Sequence, residues 1–132
     1  MKIATLNINS INARLPNLCD WLRQNQPDVL LLQEIKTEFN NFPFFDLQTL
    51  GYEAKILGQK SYNGVAVLSR HKMKVTAENL PNFTDENSRY LEVEISKNNK
   101  KHIIEGGKKN YLSQKKKNLQ TTILFEVASC YL

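Results

Sequence analysis

The chain has 132 residues, of which 41% are hydrophobic and 9% aromatic, a composition that indicates one globular domain with its own core. No apolar run approaches the length of a membrane-spanning helix, and the first residues look like a strand rather than a leader, so we expect a cytoplasmic protein with no membrane partner. Cys19 and Cys130 have neither the spacing of a zinc site nor the number needed for a disulfide framework.

The net charge of +5 is unevenly distributed along the chain. Residues 1–96 carry ten Lys and Arg against eleven Asp and Glu, whereas residues 97–132 carry eight Lys against two Glu. The excess positive charge therefore belongs to the tail. An argument for nucleic-acid binding by the rest of the chain must depend on particular residues instead.

The first third of the chain predicts a strand, a helix and a second strand. Lys2 to Asn7 alternates apolar and polar side chains, which is typical of a strand. Leu15, Leu18, Cys19 and Leu22 then recur with the spacing of one helix face, and this helix should end near Gln26, before Pro27. Strand, helix and strand of this length form a βαβ unit, in which the two strands run parallel.

The second of these strands belongs to the stretch Pro27 to Lys36, PDVLLLQEIK. The run Val29 to Leu32 predicts a strand buried on both faces, as in a parallel sheet covered by helices. Burying an unpaired carboxylate costs several kcal/mol, so Glu34 must lie at an exposed strand end, pair with a cation or hold a metal. The simplest alternative is a solvated Glu34 that pairs with Lys36.

Asn7 and Glu34 follow the two parallel strands of the predicted βαβ unit. The carboxyl ends of parallel strands lie at one edge of a sheet, where open α/β proteins bind their ligands. We therefore expect Asn7 and Glu34 to face the same crevice.

The middle of the chain predicts one short helix and four further strands. A Pro at its start and a Gly just past its end mark the helix, and Gly64 opens an apolar strand at a position where backbones approach closely. The predicted helix is Pro43 to Leu50, and the predicted strands are Tyr52 to Leu57, Gly64 to Leu68, Lys72 to Glu78 and Arg89 to Ile95.

After Ser96 the sequence becomes rich in Lys and Asn and loses any regular apolar period. We therefore divide the chain into a domain at residues 1–96 and a disordered or irregular basic tail at residues 97–132, in which only Ile123 to Leu132 has the pattern of a strand. The tail has three interpretations: a solvated segment, a basic arm that binds phosphates, or the product of a shifted reading frame.

Three motifs resemble the exonuclease III family of Mg²⁺-dependent DNA-repair nucleases, which are apurinic/apyrimidinic (AP) endonucleases and 3′-to-5′ exonucleases. Pro27 to Lys36 matches the metal-site signature of that family throughout. LNINSINARL at Leu6 to Leu15 is similar to its first strand end and following loop, and GQKSYNGVAVLSR at Gly58 to Arg70 is similar to its DNA-contacting turn. The resemblance covers residues 1 to about 95.

The resemblance implies an α/β fold, specifically half of the four-layer α/β sandwich of endonuclease/exonuclease/phosphatase-like proteins. It implies Mg²⁺ as cofactor, with Mn²⁺ as a substitute, and duplex DNA with abasic sites or 3′ ends as partner. Glu34 and Asn7 match the metal-binding and catalytic positions, with Asn9 and Gln33 placed to orient them or to contact phosphate. The matching positions for DNA contact are Lys36, Lys60, Tyr62, Asn63 and Gly64.

The chain departs from the family pattern after residue 96. The family also uses a Tyr that orients the phosphate, an Asp-x-Asn pair for the attacking water and a closing Asp-His. Residues 97–132 contain no Asp, and His102 follows Lys101 rather than an Asp. We therefore expect that this chain alone does not cleave DNA, and that its first sheet has an uncovered inner face and an open edge.

Several functions agree with this pattern. The chain is the N-terminal part of a DNA-repair nuclease, one half of a split nuclease that works with a separately encoded C-terminal half, or a non-catalytic DNA-binding module. Sphingomyelinases and inositol-phosphate phosphatases share a Glu in a similar place, but the GQKSYNGVA turn favours the DNA enzymes. Whether the isolated chain is an enzyme stays open at this point.

Overall fold

The computed structural model describes residues 1–79, 82, 85–107 and 122–124. In this part of the chain eight strands form two four-stranded sheets. The first sheet contains β1 (Ile3–Asn7), β2 (Val29–Gln33), β3 (Glu53–Leu57) and β4 (Val65–Ser69). The second contains β5 (Met73–Ala77), β6 (Tyr90–Lys97), β7 (Lys100–Gly107) and β8 (Thr122–Leu124). Helix α1 is Leu15–Asn25, α2 is Phe44–Thr49, and a short 3₁₀ helix is Phe39–Asn41.

The predicted βαβ unit is confirmed. β1 and β2 are parallel, with Ile3 opposite Val29 and Asn7 opposite Gln33, and α1 connects them. α1 begins at Leu15 with Pro16 in its first turn, buries Leu18 and Leu22 against the sheet, and ends at a left-handed Gln26. The two strands therefore deliver the residues that follow them to one edge of the sheet.

The first sheet is mixed rather than parallel, in the order β1-β2-β4-β3. β4 is antiparallel to both β2 and β3. The apolar run in β2 correctly predicted a strand buried on both faces. The same apolar run also suits a strand that has one parallel and one antiparallel neighbour. The expectation of a parallel sheet covered by helices is therefore wrong in this respect.

The second sheet contains a strand that the sequence did not predict. β7 is antiparallel to β6 along its whole length, and β8 is parallel to β7. Asn98 and Asn99 connect β6 and β7 with φ of 52° and 60°, as a tight hairpin turn requires. The expectation of irregular structure from residue 97 is therefore wrong as far as residue 107, because the Lys and Asn residues conceal a two-residue turn and two buried residues, Ile104 and Glu105.

Two hydrophobic clusters explain how the layers are held together. Leu30 and Leu32 of β2 face α1 and α2, whereas Val29 and Leu31 pack with the second sheet. Burying each of these side chains stabilises the fold by roughly 1.5–3 kcal/mol. The side chains that cover Val29 and Leu31 from the second sheet include Leu91, Val93, Ile95 and Ile104.

The inner face of the first sheet is therefore covered, which corrects the expectation from the sequence. That expectation assumed that residues 1–96 supply only one sheet, whereas β5 to β7 form the layer that packs on it. The fold class is nevertheless the predicted one, a mixed α/β sandwich. Within the described residues, no helix has the length and apolar character needed to cross a lipid bilayer.

Candidate functional site

The ends of β1 and β2 continue side by side beyond the strands. Ile8 N–H donates to Gln33 O at 3.0 Å, and Ser10 N–H donates to Glu34 O at 2.8 Å. The segment after β2 is therefore fixed against the loop that follows β1.

The turn before β4 holds the same segment from its other side. Ile35 N–H donates to Gly64 O at 3.2 Å, and Lys36 N–H donates to Asn63 O at 3.0 Å. The backbone from residue 34 to 36 is thus bonded to both neighbours, and a site built on it is rigid.

Two residues of this segment have a left-handed backbone conformation, which non-glycine residues rarely adopt. Glu34 and Lys36 have φ of 53° and 52°, and Ile35 between them is fully buried. Each left-handed residue costs roughly 1–2 kcal/mol, and such strain concentrates at functional sites. The consequence is that Glu34 and Lys36 lie at the surface edge while Ile35 anchors them in the core.

The four polar side chains at the strand ends form one connected group. Lys36 Nζ donates to Asn9 Oδ1 at 2.5 Å and lies 3.8 Å from Glu34 Oε2. Asn9 N–H donates to Asn7 Oδ1 at 3.1 Å. The structure therefore brings Asn7, Asn9, Glu34 and Lys36 to one edge of the sheet. Glu34 and Lys36 form the ion pair of the simpler alternative, at a distance beyond a hydrogen bond.

Gln33 lies behind this group, opposite Asn7 in the sheet register. Its side chain is buried, and its Nε2 donates to Thr5 Oγ1 at 3.0 Å. Among the described residues, no donor reaches its Oε1. A buried acceptor in that condition costs about 1–3 kcal/mol.

A cavity of about 370 Å³ opens beside Glu34 and Lys36. Its other wall comes from the turn before β4 and from the loop that leads into β6. Asn63 Nδ2 joins these two walls, donating to Gln59 Oε1 at 3.2 Å and to Asn87 Oδ1 at 3.3 Å. The lining residues are Glu34, Lys36, Gln59, Tyr62, Asn63, Asn87 and Arg89.

The residues predicted to contact DNA differ in their positions. Lys36, Tyr62 and Asn63 line the cavity, and Tyr62 is 70% exposed. Lys60 is exposed on the same turn, outside the cavity lining. Gly64 is buried, and its N–H donates to Ser88 O at 2.9 Å, so it can shape the turn rather than touch a ligand.

The sequence missed three residues of the cavity. Gln59 lies inside the GQKSYNGVA turn, so the motif contained that signal. Asn87 and Arg89 lie in a polar loop and at the start of β6, where periodicity indicates a strand but not which side chains reach a site. Only the packing of the second sheet beside the first brings them to Glu34.

The oxygen donors at this edge fit a hard divalent cation. Mg²⁺ in proteins is typically held by one or two carboxylates together with waters and substrate phosphate oxygens. Glu34 offers one carboxylate and Asn7 one amide oxygen, while Asn9 Oδ1 is occupied by the hydrogen bond from Lys36 Nζ. In the part of the chain that the structure describes, no group of three or more His, Cys, Asp or Glu residues converges.

The chain is similar in sequence to known proteins. Residues 4–104 match the endonuclease/exonuclease/phosphatase family. Exodeoxyribonuclease III from Haemophilus influenzae is 40% identical over 81 residues, which cover 61% of this chain and 30% of that enzyme.

Solved structures share the fold. An AP endonuclease from Archaeoglobus fulgidus superposes with a TM-score of 0.70 at 35% identity, and a 3′ phosphatase from Neisseria bound to a product DNA hairpin superposes with 0.65 at 37% identity. Each match covers 79% of this chain and 40% of the other protein, so the chain spans less than half the length of these relatives. The family match over most of the chain shows that the chain belongs to the endonuclease/exonuclease/phosphatase family.

Proposed function

We propose that this chain supplies the metal-binding and DNA-contacting part of a Mg²⁺-dependent DNA-repair nuclease of the exonuclease III and AP endonuclease type. The observation that carries the proposal is the connected group Asn7, Asn9, Glu34 and Lys36 at one rigid sheet edge, open to a cavity with a cationic wall. A carboxylate, amide oxygens and cations at one edge suit a phosphodiester substrate.

Glu34 is the proposed metal ligand, with Asn7 as the amide beside it. When bound, Mg²⁺ or Mn²⁺ supplies positive charge to the scissile phosphate and to the departing oxygen. Lys36 contacts a phosphate oxygen, while the hydrogen bond from Nζ to Asn9 Oδ1 keeps the ammonium at this edge. Gln33 lies buried behind them, and its hydrogen bond to Thr5 Oγ1 holds the end of β2, from which the Glu34 segment starts.

The DNA partner is proposed to lie across the turn at residues 58–64. Tyr62 presents its ring to a nucleotide, since aromatic side chains stack on bases without sequence preference. Lys60 contacts the backbone from the outer side of the turn, Asn63 lies in the cavity, and Gly64 lets the turn close against Ile35. Abasic sites and 3′ ends are the substrates that the related enzymes suggest.

We propose that the chain alone does not hydrolyse DNA. The groups that the family pattern uses to position water and to orient the phosphate have no matching motif here, and losing one such group typically lowers a rate by about a hundredfold or more. A separately encoded C-terminal half would restore them.

A second candidate function is a DNA-binding module without catalysis. The specific observation in its favour is the Lys-rich stretch after residue 107. Its residues Lys115 to Lys117 lie outside the described residues. This module would bind DNA through the tail, whereas the nuclease function requires binding at Glu34.

The test uses a labelled DNA duplex with one abasic site. We expect no nicking by the full chain with Mg²⁺ alone, and nicking when the C-terminal half of a related exonuclease III is added. Glu34→Gln should lower the restored rate by a factor of about a hundred or more. Glu53→Gln, an exposed carboxylate on β3 that pairs with Lys55, is the matched control and should leave the rate unchanged.

The outcomes separate the proposals. Nicking that survives Glu34→Gln removes Glu34 as metal ligand. Nicking by the chain alone overturns its proposed dependence on a second half. DNA binding that disappears when Lys115 to Lys117 are neutralised, but not in Glu34→Gln, favours the binding module.

A further inference from the structure

The turn at residues 58–64, which is proposed to contact DNA, has an unfavourable backbone. Ser61, Asn63 and Gly64 all have positive φ, at 63°, 51° and 85°. Two of these three residues are not glycine, and non-glycine residues rarely adopt this left-handed conformation. Contacts from the surrounding structure must therefore hold the turn in this shape.

Gln59, the second residue of this turn, is hydrogen-bonded on two sides. Its Oε1 accepts from Asn63 Nδ2 at 3.2 Å, across the turn, and from Ser88 N–H at 3.2 Å, in the loop that leads into β6. Its backbone N–H donates to Thr37 O at 3.1 Å. One acceptor oxygen therefore joins the turn both to itself and to the second sheet.

Ser88 holds the turn from the side of the second sheet. Its Oγ donates to Gly58 O at 3.0 Å, and its backbone O accepts from Gly64 N–H at 2.9 Å. Asn87 beside it accepts from Asn63 Nδ2 through its Oδ1 at 3.3 Å. The first and the last residue of the turn are thus bonded to the same residue of the opposite sheet.

The turn is also bonded to the proposed metal-binding segment. Ile35 N–H donates to Gly64 O at 3.2 Å, and Lys36 N–H donates to Asn63 O at 3.0 Å. Because these bonds join the two segments directly, a change in the turn would reach both functional side chains of that segment, Glu34 and Lys36.

We infer that Gln59 is a positioning residue for DNA binding, which acts through the turn rather than by touching DNA. Its Oε1 holds the turn against Ser88 and so places Tyr62 beside the Glu34 segment before DNA arrives. This inference depends on the proposed function, since it takes the turn as the surface that DNA contacts. A turn that is ordered in advance avoids the loss of conformational freedom that binding would otherwise require.

Amide hydrogen exchange of the full chain without DNA tests whether Gln59 holds the turn. The amides compared are those of Gly64, just before β4, and Arg70, just after it, both of which are hydrogen-bonded to backbone carbonyls. The variants are Gln59→Met, which has similar length and no oxygen, and Gln59→Glu, which keeps an acceptor oxygen. Gln24→Met, at an exposed position of α1, is the matched control.

We expect Gln59→Met to speed exchange of the Gly64 amide by about tenfold or more, because both hydrogen bonds to Oε1 are lost, and to leave the Arg70 amide unchanged. Gln59→Glu should keep the slow exchange, because its carboxylate can accept both bonds. Gln24→Met should behave like the unchanged chain. Equal acceleration at Gly64 and Arg70 would reveal a general loss of stability and would overturn the positioning role.

Binding of a duplex with a stable abasic-site analogue gives the functional readout. Gln59→Met should weaken binding by about fivefold or more, since only a fraction of the molecules then hold the turn ready for DNA. Circular dichroism checks that the variant folds. Should Gln59→Met not fold, Gln59→Asn, whose oxygen lies one carbon–carbon bond short of both donors, decides in the same terms.

The results distinguish two failures. If the unchanged chain does not bind the duplex, the proposed function falls and this inference falls with it. If the chain binds but Gln59→Met keeps its affinity, only the inference is overturned. A loss of affinity with unchanged exchange at Gly64 would also overturn it, because Gln59 would then touch DNA itself.

Discussion

At the scale of single residues, the site depends on the absence of a side chain at Gly64. Gly64 has a φ of +85°, and a Cβ built on it would lie 2.5 Å from Ile35 Cγ1. Because Ile35 separates Glu34 from Lys36, any atom that pushes on Ile35 shifts both functional side chains. The motif suggested that Gly64 touches DNA, whereas its burial favours a role in placing Ile35.

Gly64→Ala should therefore lower the free energy of unfolding by more than the cost of its left-handed backbone. Gly51 is the matched control, because it has the same φ of +85° and no atom within 4 Å of a built Cβ. We expect Gly51→Ala to lower the free energy of unfolding by roughly 1–2 kcal/mol, the cost of the left-handed backbone alone. Gly64→Ala should lose about 1–3 kcal/mol more through overpacking. Urea unfolding measures both variants, and equal losses would contradict the role given to Ile35.

At the scale of elements, Asp28 connects several strands at the end of β2 remote from Glu34. Its Oδ2 accepts a hydrogen bond from Lys2 N–H at 2.7 Å. Its Oδ1 accepts from His71 Nε2 at 2.8 Å and from Lys97 Nζ at 2.9 Å. The backbone hydrogen bond from Lys2, followed by those from His71 and Lys97, holds the pKa of Asp28 well below its usual range. Asp28 thereby links both sheets through one carboxylate.

The lowered pKa of Asp28 predicts a pH-dependent contribution to stability. A carboxylate whose pKa is lower in the folded state stabilises the fold above its unfolded pKa of about 3.9, and this stabilisation is lost as the pH falls below that value. Asp28→Asn should lower the free energy of unfolding by about 2 kcal/mol at pH 7, and the difference should shrink below about pH 4. The control Asp20→Asn removes an exposed carboxylate paired with Arg23 and should cost under about 0.5 kcal/mol. A loss for Asp28→Asn that is constant from pH 7 to pH 3 would contradict this account.

At the scale of the whole molecule, local patterns predicted the elements well and their partners less well. The strands and α-helices that begin before residue 96 were predicted to within two residues at each end, because their apolar periods and Gly and Pro boundaries are local signals, whereas the short 3₁₀ helix was not predicted. The parallel pairing of β1 and β2 followed from the connecting helix. The edge that carries Asn7 and Glu34 was therefore foreseeable.

Contacts between the sheets were not foreseeable from the same patterns. Nothing local in PDVLLLQEIK distinguishes a parallel neighbour from the antiparallel β4, and nothing local shows that β6 and β7 cover Val29 and Leu31. Arg89 was missed for the same reason, since its place in the cavity depends on the stacking of two sheets. The hairpin turn at Asn98 and Asn99 was hidden within a Lys- and Asn-rich composition.

The central claim is that the edge formed by the ends of β1 and β2 holds a divalent cation. Paramagnetic broadening of backbone amide signals by Mn²⁺, added to the full chain and competed with Mg²⁺, tests it without any need for activity. The account predicts broadening centred on residues 7–10 and 33–36, reversed by Mg²⁺ and absent in Glu34→Gln. Broadening centred elsewhere, or unchanged in Glu34→Gln, would contradict it.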